Sequence, residues 1–259
     1  MNLVNKEYHK RARILLENWQ ERGVFLDDFI EPSDGDLASC ISLCLLKPDA
    51  SISEANSLCK QAREYSLDSV CVNPALVEHT VRFASDDFPV NTVVGFPLGA
   101  NHQQIKVAEA ELGVSQGVSG LEVVLNTGLL KTSNFQEVFE ELRAVRYSCP
   151  ESDLTVILET SLLEPLQIII ACMLCREAGV DDVKTSTGFI QGDSVVEDVS
   201  LMRFVLGDDL GITASWGLNS REICMTYLQA GATRLSVDYL SPGKPLSAIL
   251  NISDQAVKA

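Results

Sequence analysis

Apolar, β-branched runs recur along this chain, with helically periodic segments between them. Eight runs read as strands: residues 39–46, 69–72, 91–96, 121–125, 154–159, 182–186, 211–215 and 233–237. Strands buried on both faces read as near-continuous hydrophobic segments rather than as alternation. The intervening segments repeat every three to four residues. Between the fourth and fifth strands, Phe135, Val138, Phe139, Leu142 and Val145 fall on one helical face. Ser133 with Gln136, and Ser194 with Glu197, have capping-box spacing. Ala178-Gly179, Leu206-Gly207 and the run 229–231 read as helix stops before a strand. Eight strands alternating with helices predict an α/β fold, a (β/α)8 TIM barrel. An open doubly wound sheet is the other arrangement of such elements, but no G-x-G-x-x-G follows the first strand.

The barrel is expected over residues 38–259. Residues 1–37 add an N-terminal helical extension to the same domain: an amphipathic helix over about 5–22, then a polar stretch at 27–36 that carries Pro32 and Gly35. The helix has two readings. It plugs the barrel bottom, or it packs on a partner subunit in a homodimer.

One residue breaks the apolar pattern. Lys184 sits inside the sixth strand run. A lysine there must be paired, lose its charge, or have a chemical use. A lysine held neutral by burial attacks carbonyl carbon and forms a Schiff base. The plain alternative is an ion pair that only holds the barrel together.

Composition narrows the partners. The chain has 259 residues and a net charge of −16. Such a charge repels a phosphate backbone, so no nucleic acid is expected. No stretch is long enough to span a bilayer and no signal segment opens the chain, which points to a cytoplasmic protein with reduced thiols. Among the eight cysteines, Cys172 and Cys175 form a C-x-x-C pair, but in an apolar helical run that suits packing rather than redox work. The histidines, His9, His79 and His102, are too scattered for a metal cluster and read as surface residues. No metal and no cofactor are expected.

In such barrels the chemistry lies at the C-terminal strand ends. The polar residues there are Ser42, Lys47, Cys71, Asn73, Glu122, Asn126, Glu159, Lys184, Thr185, Ser186, Thr213, Ser215, Ser236 and Asp238. A buried amine near a buried carboxylate suits a carbon–carbon lyase. The amine captures a carbonyl and the acid moves protons. Glu159 is expected to pair with Lys184 or a loop N–H.

The segments LLKPDA at 45–50, SVCVNP at 69–74, TVVGFPLGAN at 92–101, VILET at 156–160, VKTSTGF at 183–189 and AGATR at 230–234 resemble the deoxyribose-phosphate aldolase family, class I aldolases on a (β/α)8 barrel. The resemblance implies that Lys184 is the Schiff-base lysine. It also implies departures. The family's proton-relay aspartate falls at Glu122, and its second lysine falls at Thr213, so Lys184 is expected to rely on desolvation alone to become neutral. Where the family has I-D-H-T, this chain has Ile41-Ser42-Leu43-Cys44. Where two glycines approach a phosphate, it has Trp216 and Gly217, and Asp238 replaces a hydroxyl in the phosphate seat. At ~4 Å and an effective dielectric near 20, a carboxylate repels a phosphate charge by about 4 kcal/mol.

The catalytic pair expected is Lys184 and Glu122. The expected substrate contacts are Ser42, Cys71, Asn73, Thr185, Thr213, Ser215, Trp216, Ser236 and Asp238. The preferred function is a diverged Schiff-base aldolase acting on a small carbonyl compound without a terminal phosphate. The alternatives are cleavage of 2-deoxyribose 5-phosphate to acetaldehyde and glyceraldehyde 3-phosphate, and a catalytically dead binding protein.

Overall fold

The computed structural model describes residues 3–26, 28–190, 195–239 and 246–250. Eight parallel strands close into a barrel in sequence order: β1 (Ile41–Leu45), β2 (Ser69–Val72), β3 (Val90–Val94), β4 (Gly120–Val124), β5 (Asp153–Ile157), β6 (Asp182–Lys184), β7 (Gly211–Ser215) and β8 (Arg234–Asp238), with β8 paired back to β1. The fold is the (β/α)8 barrel that the alternation of elements predicts.

The strands read as continuous apolar runs because of what alternates along them. Leu43, Val70, Leu121, Val156, Val183, Ile212 and Leu235 point outward and join the main core beneath the helices. Their neighbours point inward, by the period of two. The inward set is mostly small or polar and includes Ser42, Cys44, Cys71, Glu122, Thr155, Asp182, Lys184, Thr213, Ser215 and Ser236, all buried.

Several strands end earlier than their apolar runs. β6 stops at Lys184 because side chains take over its ladder. Ser215 N donates to Thr185 Oγ1 at 3.0 Å, and Ser186 N donates to Ser215 Oγ at 3.1 Å. β5 stops before Glu159, whose φ of 55° starts a short 3-10 turn over Thr160–Leu162. β1 starts at Ile41, because residue 39 caps a short helix, Asp34–Ala38, that begins within the polar stretch at 27–36.

The leading helix runs over Leu3–Gln20 and does not plug the barrel. It lies on the outer helical layer, against the helices Pro165–Ala178 and Val196–Leu206. Trp19 Nε1 donates to Ser200 Oγ at 3.2 Å, Tyr8 donates to the Glu177 carboxylate, and Tyr8 meets Phe135 edge-on at 5.7 Å. This explains why residues 168–175 are buried all round: the barrel covers one side of their helix and the leading helix the other.

At the N-terminal end of the barrel, Arg234 bridges Asp68 at 2.9 Å and Asp182 at 3.7 Å. Capping differs from expectation at one helix. Ser133 has φ 61° and Asn134 takes the cap of Phe135–Ser148, while Gln136 Nε2 donates to Glu140. Capping boxes form instead at Ser51–Glu54 and Glu164–Gln167. Ser194 lies outside the described residues. No helix among the described residues is long and apolar enough to cross a membrane.

Candidate active site

Lys184 is the last residue of β6, and its side chain is 3% exposed. Its ammonium donates to Glu122 Oε2 at 2.7 Å. Glu122 comes from β4, two strands away, and both residues face inward because each sits at an inward step of its strand. Above them opens a cleft of about 570 Å³ at the C-terminal ends of the strands. Lys184, Cys44, Ser215, Ser236 and Asp238 line it, together with the aromatic Phe189 and Trp216.

The electrostatics of the pair correct one expectation. Burial pulls the Lys184 ammonium down, but the Glu122 carboxylate, helped by Cys44 and Cys71, outweighs it and holds the amine above the ordinary lysine range. Desolvation alone does not set its charge. The resting lysine is protonated, and its proton partner is already in contact.

The two thiols split. Cys71 is pushed well up, first by its hydrogen bond to Cys44 and then by burial. Cys44 is lowered by that same bond, against burial and with help from Lys184. Its sulfur lies 3.0 Å from Ser236 Oγ.

The expected contact residues divide into two groups. Ser215, Trp216, Ser236 and Asp238 line the cleft with Lys184. The others do not. Ser42 accepts from Ser69 Oγ at 2.9 Å, inside the barrel. Asn73 donates to Lys47 O at 3.0 Å and fastens the loop after β1. Thr185 Oγ1 binds Ser215 and ties β6 to β7. Thr213 stands opposite Lys184 in register, but its hydroxyl donates to Asp182 Oδ1 at 2.8 Å. Cys71 is fully buried beside Cys44 and Glu122. Glu159 accepts from Thr187 N at 3.1 Å and from its hydroxyl, so it takes the loop N–H rather than Lys184. His102 caps the helix Gln103–Ser115, with Nδ1 accepting from Gln104 N at 3.3 Å. Lys47 is paired with Glu54 at 2.8 Å.

Two residues of the interior were not singled out from sequence. Cys44 is two steps from Ser42 and in register with Cys71. Asp182 is two steps before Lys184. Counting by two from residues already chosen finds both.

The aromatic wall is held by unusual backbone. Trp216 has φ 74° and Gly188 has φ 80°. A Cβ on Gly188 would sit 2.8 Å from Trp216 Cε3, so the indole lies directly on that glycine. Left-handed φ at a bulky residue is strained and persists where its surroundings fix it. Phe189 meets Phe96 edge-on at 5.2 Å and extends the wall.

The model of the DeoC/LacD family of aldolases matches residues 42–212. A deoxyribose-phosphate aldolase of Brevibacillus brevis is 42% identical over 192 residues, 74% of this chain and 87% of that protein. This chain belongs to the DeoC/LacD aldolase family. Another relative named deoxyribose-phosphate aldolase, from Caldanaerobacter subterraneus subsp. tengcongensis, is 43% identical over 79% of this chain and 90% of its own. Among solved structures, the aldolase QR15 superposes with a TM-score of 0.77 at 31% identity, covering 86% of this chain and 96% of that one. A deoxyribose phosphate aldolase from Aeropyrum pernix superposes at 0.75 with 24% identity, covering 96% and 98%, and so shares the fold. As a DeoC/LacD aldolase, the protein is an enzyme of the lyase class.

Proposed function

We propose that this aldolase works through a Schiff base on Lys184, with Glu122 as its acid and base, on a small carbonyl compound that lacks a terminal phosphate. The observation that carries the reading is the 2.7 Å contact between Glu122 and Lys184, a lysine that lines the cleft.

The contact suits the proton traffic. Glu122 accepts a proton from the ammonium, and the freed amine adds to the carbonyl carbon. Glu122 then returns that proton to the carbinolamine oxygen. The nitrogen gives up a second proton by the same route as the oxygen departs as water, leaving an iminium. Both protons lost from nitrogen end on that water. The iminium then draws electrons from the bond between its α and β carbons. The β-hydroxyl gives its proton to Glu122, the β carbon leaves as a carbonyl compound, and the electron pair remains as an enamine; the reverse forms the bond. A catalytically dead protein has no need of an ion pair placed beneath an open cleft.

The absence of a phosphate on the substrate is supported by the walls. The indole of Trp216 lies on Gly188, where an anion would need bare backbone N–H groups. Asp238 adds a negative charge to the same rim. The second reading, cleavage of 2-deoxyribose 5-phosphate, is favoured by the names of the relatives at 42–43% identity.

The test is borohydride reduction with a panel of small aldehydes and ketones, followed by peptide mass spectrometry. The expected result is one adduct, on Lys184, absent from Lys184→Met. The carbonyl that adds names the substrate class. An unmodified Lys184 across the panel, phosphorylated sugars included, sinks the Schiff-base reading.

A further inference from the structure

Cys44 and Cys71 are in-register partners on adjacent parallel strands, and both face inward. Glu122 reaches the same point from β4. Their sulfur and carboxylate oxygen atoms all lie within 4.8 Å of one another, and all three residues are buried. Schiff-base chemistry uses Glu122 and leaves both thiols idle. The plain account of the thiols is packing, since they touch Leu46, Val93 and Phe96. Packing of the thiols and the contact of Glu122 with Lys184 do not by themselves account for a carboxylate within reach of both sulfurs.

We propose that Cys44, Cys71 and Glu122 form a binding site for a thiophilic divalent cation of the zinc class. Three arguments support it. The first is ligand type: two sulfurs and a carboxylate suit zinc or cadmium and not magnesium or calcium. The second is distance. Zinc bonds of about 2.3 Å to sulfur and about 2.0 Å to oxygen place tetrahedral ligand atoms roughly 3.5–3.8 Å apart. Rotamer adjustment brings atoms within 4.8 Å to that spacing. Ser236 Oγ, 3.0 Å from the Cys44 sulfur, is placed to bond the ligating thiolate or to hold a water in the fourth position.

The third argument is charge. Two thiolates and a carboxylate carry three negative charges. The cation supplies two positive charges and the Lys184 ammonium the third, so the buried cluster is neutral when occupied. Lys184 is then no obstacle. It is the hydrogen-bond donor that orients a ligating carboxylate. A cation enters from the cleft, since Cys44 and Lys184 both line it. On sequence no metal is expected, with the histidines weighed as ligands; this set contains no histidine and departs from that expectation. Binding exchanges the two thiol protons for the cation and releases them to solvent. An occupied site also holds Glu122 away from proton transfer, so carbonyl trapping at Lys184 falls. That last consequence rests on the Schiff-base reading; the binding does not.

The test uses the metal-free full chain titrated with Cd²⁺ and followed by the ultraviolet sulfur-to-metal charge-transfer band, with Zn²⁺ as competitor. The expected result is a band that saturates at one cation per chain with release of about two protons. Cys44→Ser and Cys71→Ser should each weaken binding at least roughly a hundredfold, and the double variant should lose the band. Binding unchanged in a folded double variant overturns the proposal, as does no band in the wild type. Should the variants fail to fold, X-ray absorption of the Cd²⁺-loaded wild type decides: two sulfurs with oxygen neighbours support the site, and any other sulfur count overturns it.

Discussion

Among the described residues two buried lysine–glutamate pairs have nearly the same geometry and different surroundings. Lys184 meets Glu122 at 2.7 Å, with side chains 3% and 7% exposed. Lys106 meets Glu141 at 2.6 Å, with side chains 0% and 4% exposed. Lys106 lies in the helix Gln103–Ser115, outside the barrel wall, and also donates to Val124 O at the end of β4. Burial lowers the Lys106 ammonium despite its partner, whereas Lys184 is held raised. By titration alone Lys106 would look the better nucleophile. Its side chain is wholly buried among the described residues, out of reach of a carbonyl compound in solution. Access, not burial or a shifted proton affinity, separates the pair proposed to react from the one that only packs.

The structural pair supports the reactive one. Gly95, at φ 65°, leaves room for the Lys106 stem; a Cβ there would lie 2.9 Å from Lys106 Cε. Gly99, also at φ 65°, packs so close to β4 that a Cβ would lie 2.2 Å from Leu125 O. The glycines of the GFPLGAN segment therefore press the loop and Lys106 against the end of the strand that carries Glu122.

The sharpest break of the comparison is replacement of each lysine by methionine. Lys184→Met should lower carbon–carbon lyase turnover by at least roughly a thousandfold, about 4 kcal/mol, because no other group supplies the amine. It also leaves the buried Glu122 carboxylate without its cation, so some stability should be lost with it. Lys106→Met should leave the turnover of the folded protein largely intact. It strands a buried carboxylate and should cost about 3–5 kcal/mol in urea unfolding, and Lys106→Met with Glu141→Leu should recover most of that. Equal effects of the two single variants on both readouts would erase the distinction.

A smaller effect sharpens the acid side. Asp182 lies two residues before Lys184 on the same inward face. Burial pushes its carboxyl up to about 6, against the pull of Arg234 and the Thr213 hydroxyl. An acid raised on folding binds more protons folded than unfolded between pH ~4 and ~6, so wild-type stability falls through that window as pH rises. The shift of about two units corresponds to about 3 kcal/mol. Asp182→Asn removes that loss. Its stability relative to wild type should climb by about that much from pH ~4 to ~6 and level off above. A difference flat across the window would mean that Arg234 fully compensates the burial.

The contrast also shows what the sequence could display. Lys184 stood out because its neighbours are strand-like and apolar. Lys106 did not, because a lysine in an amphipathic helix normally faces water, and only the packed helices show that this one cannot. The barrel was legible from eight runs and their helices. The inner layer was half legible: the choice of polar residues at strand ends found Lys184, Glu122 and Ser236, but not that Thr213 turns to Asp182 or that Ser42 bonds Ser69. Those depend on tilt and register between strands, which a single strand does not encode. The leading helix left its docking place open, although the all-round apolar helix at 165–178 needed a second cover.

The last contrast concerns what access admits. If the cleft distinguishes Lys184 from Lys106, then its walls choose the substrate. Trp216 lies on Gly188 and Asp238 stands on the same rim, so a phosphate meets an indole and a carboxylate where it needs N–H groups. Turnover of 2-deoxyribose 5-phosphate should therefore fall at least roughly a hundredfold below that of the unphosphorylated sugar, which is about 2.7 kcal/mol of transition-state binding. Trp216→Gly with Asp238→Ser should narrow that ratio by raising turnover of the phosphorylated sugar, while Lys184 still forms an adduct with acetaldehyde, because neither residue supplies the amine or its hydrogen-bond partner. Removing the indole also frees a left-handed position that glycine adopts without strain, so the double variant should not lose stability there. A wild-type preference for the phosphorylated sugar would reverse the reading of the wall and assign the cleft to the reaction named for the relatives, with the anion held by the loop around Gly217.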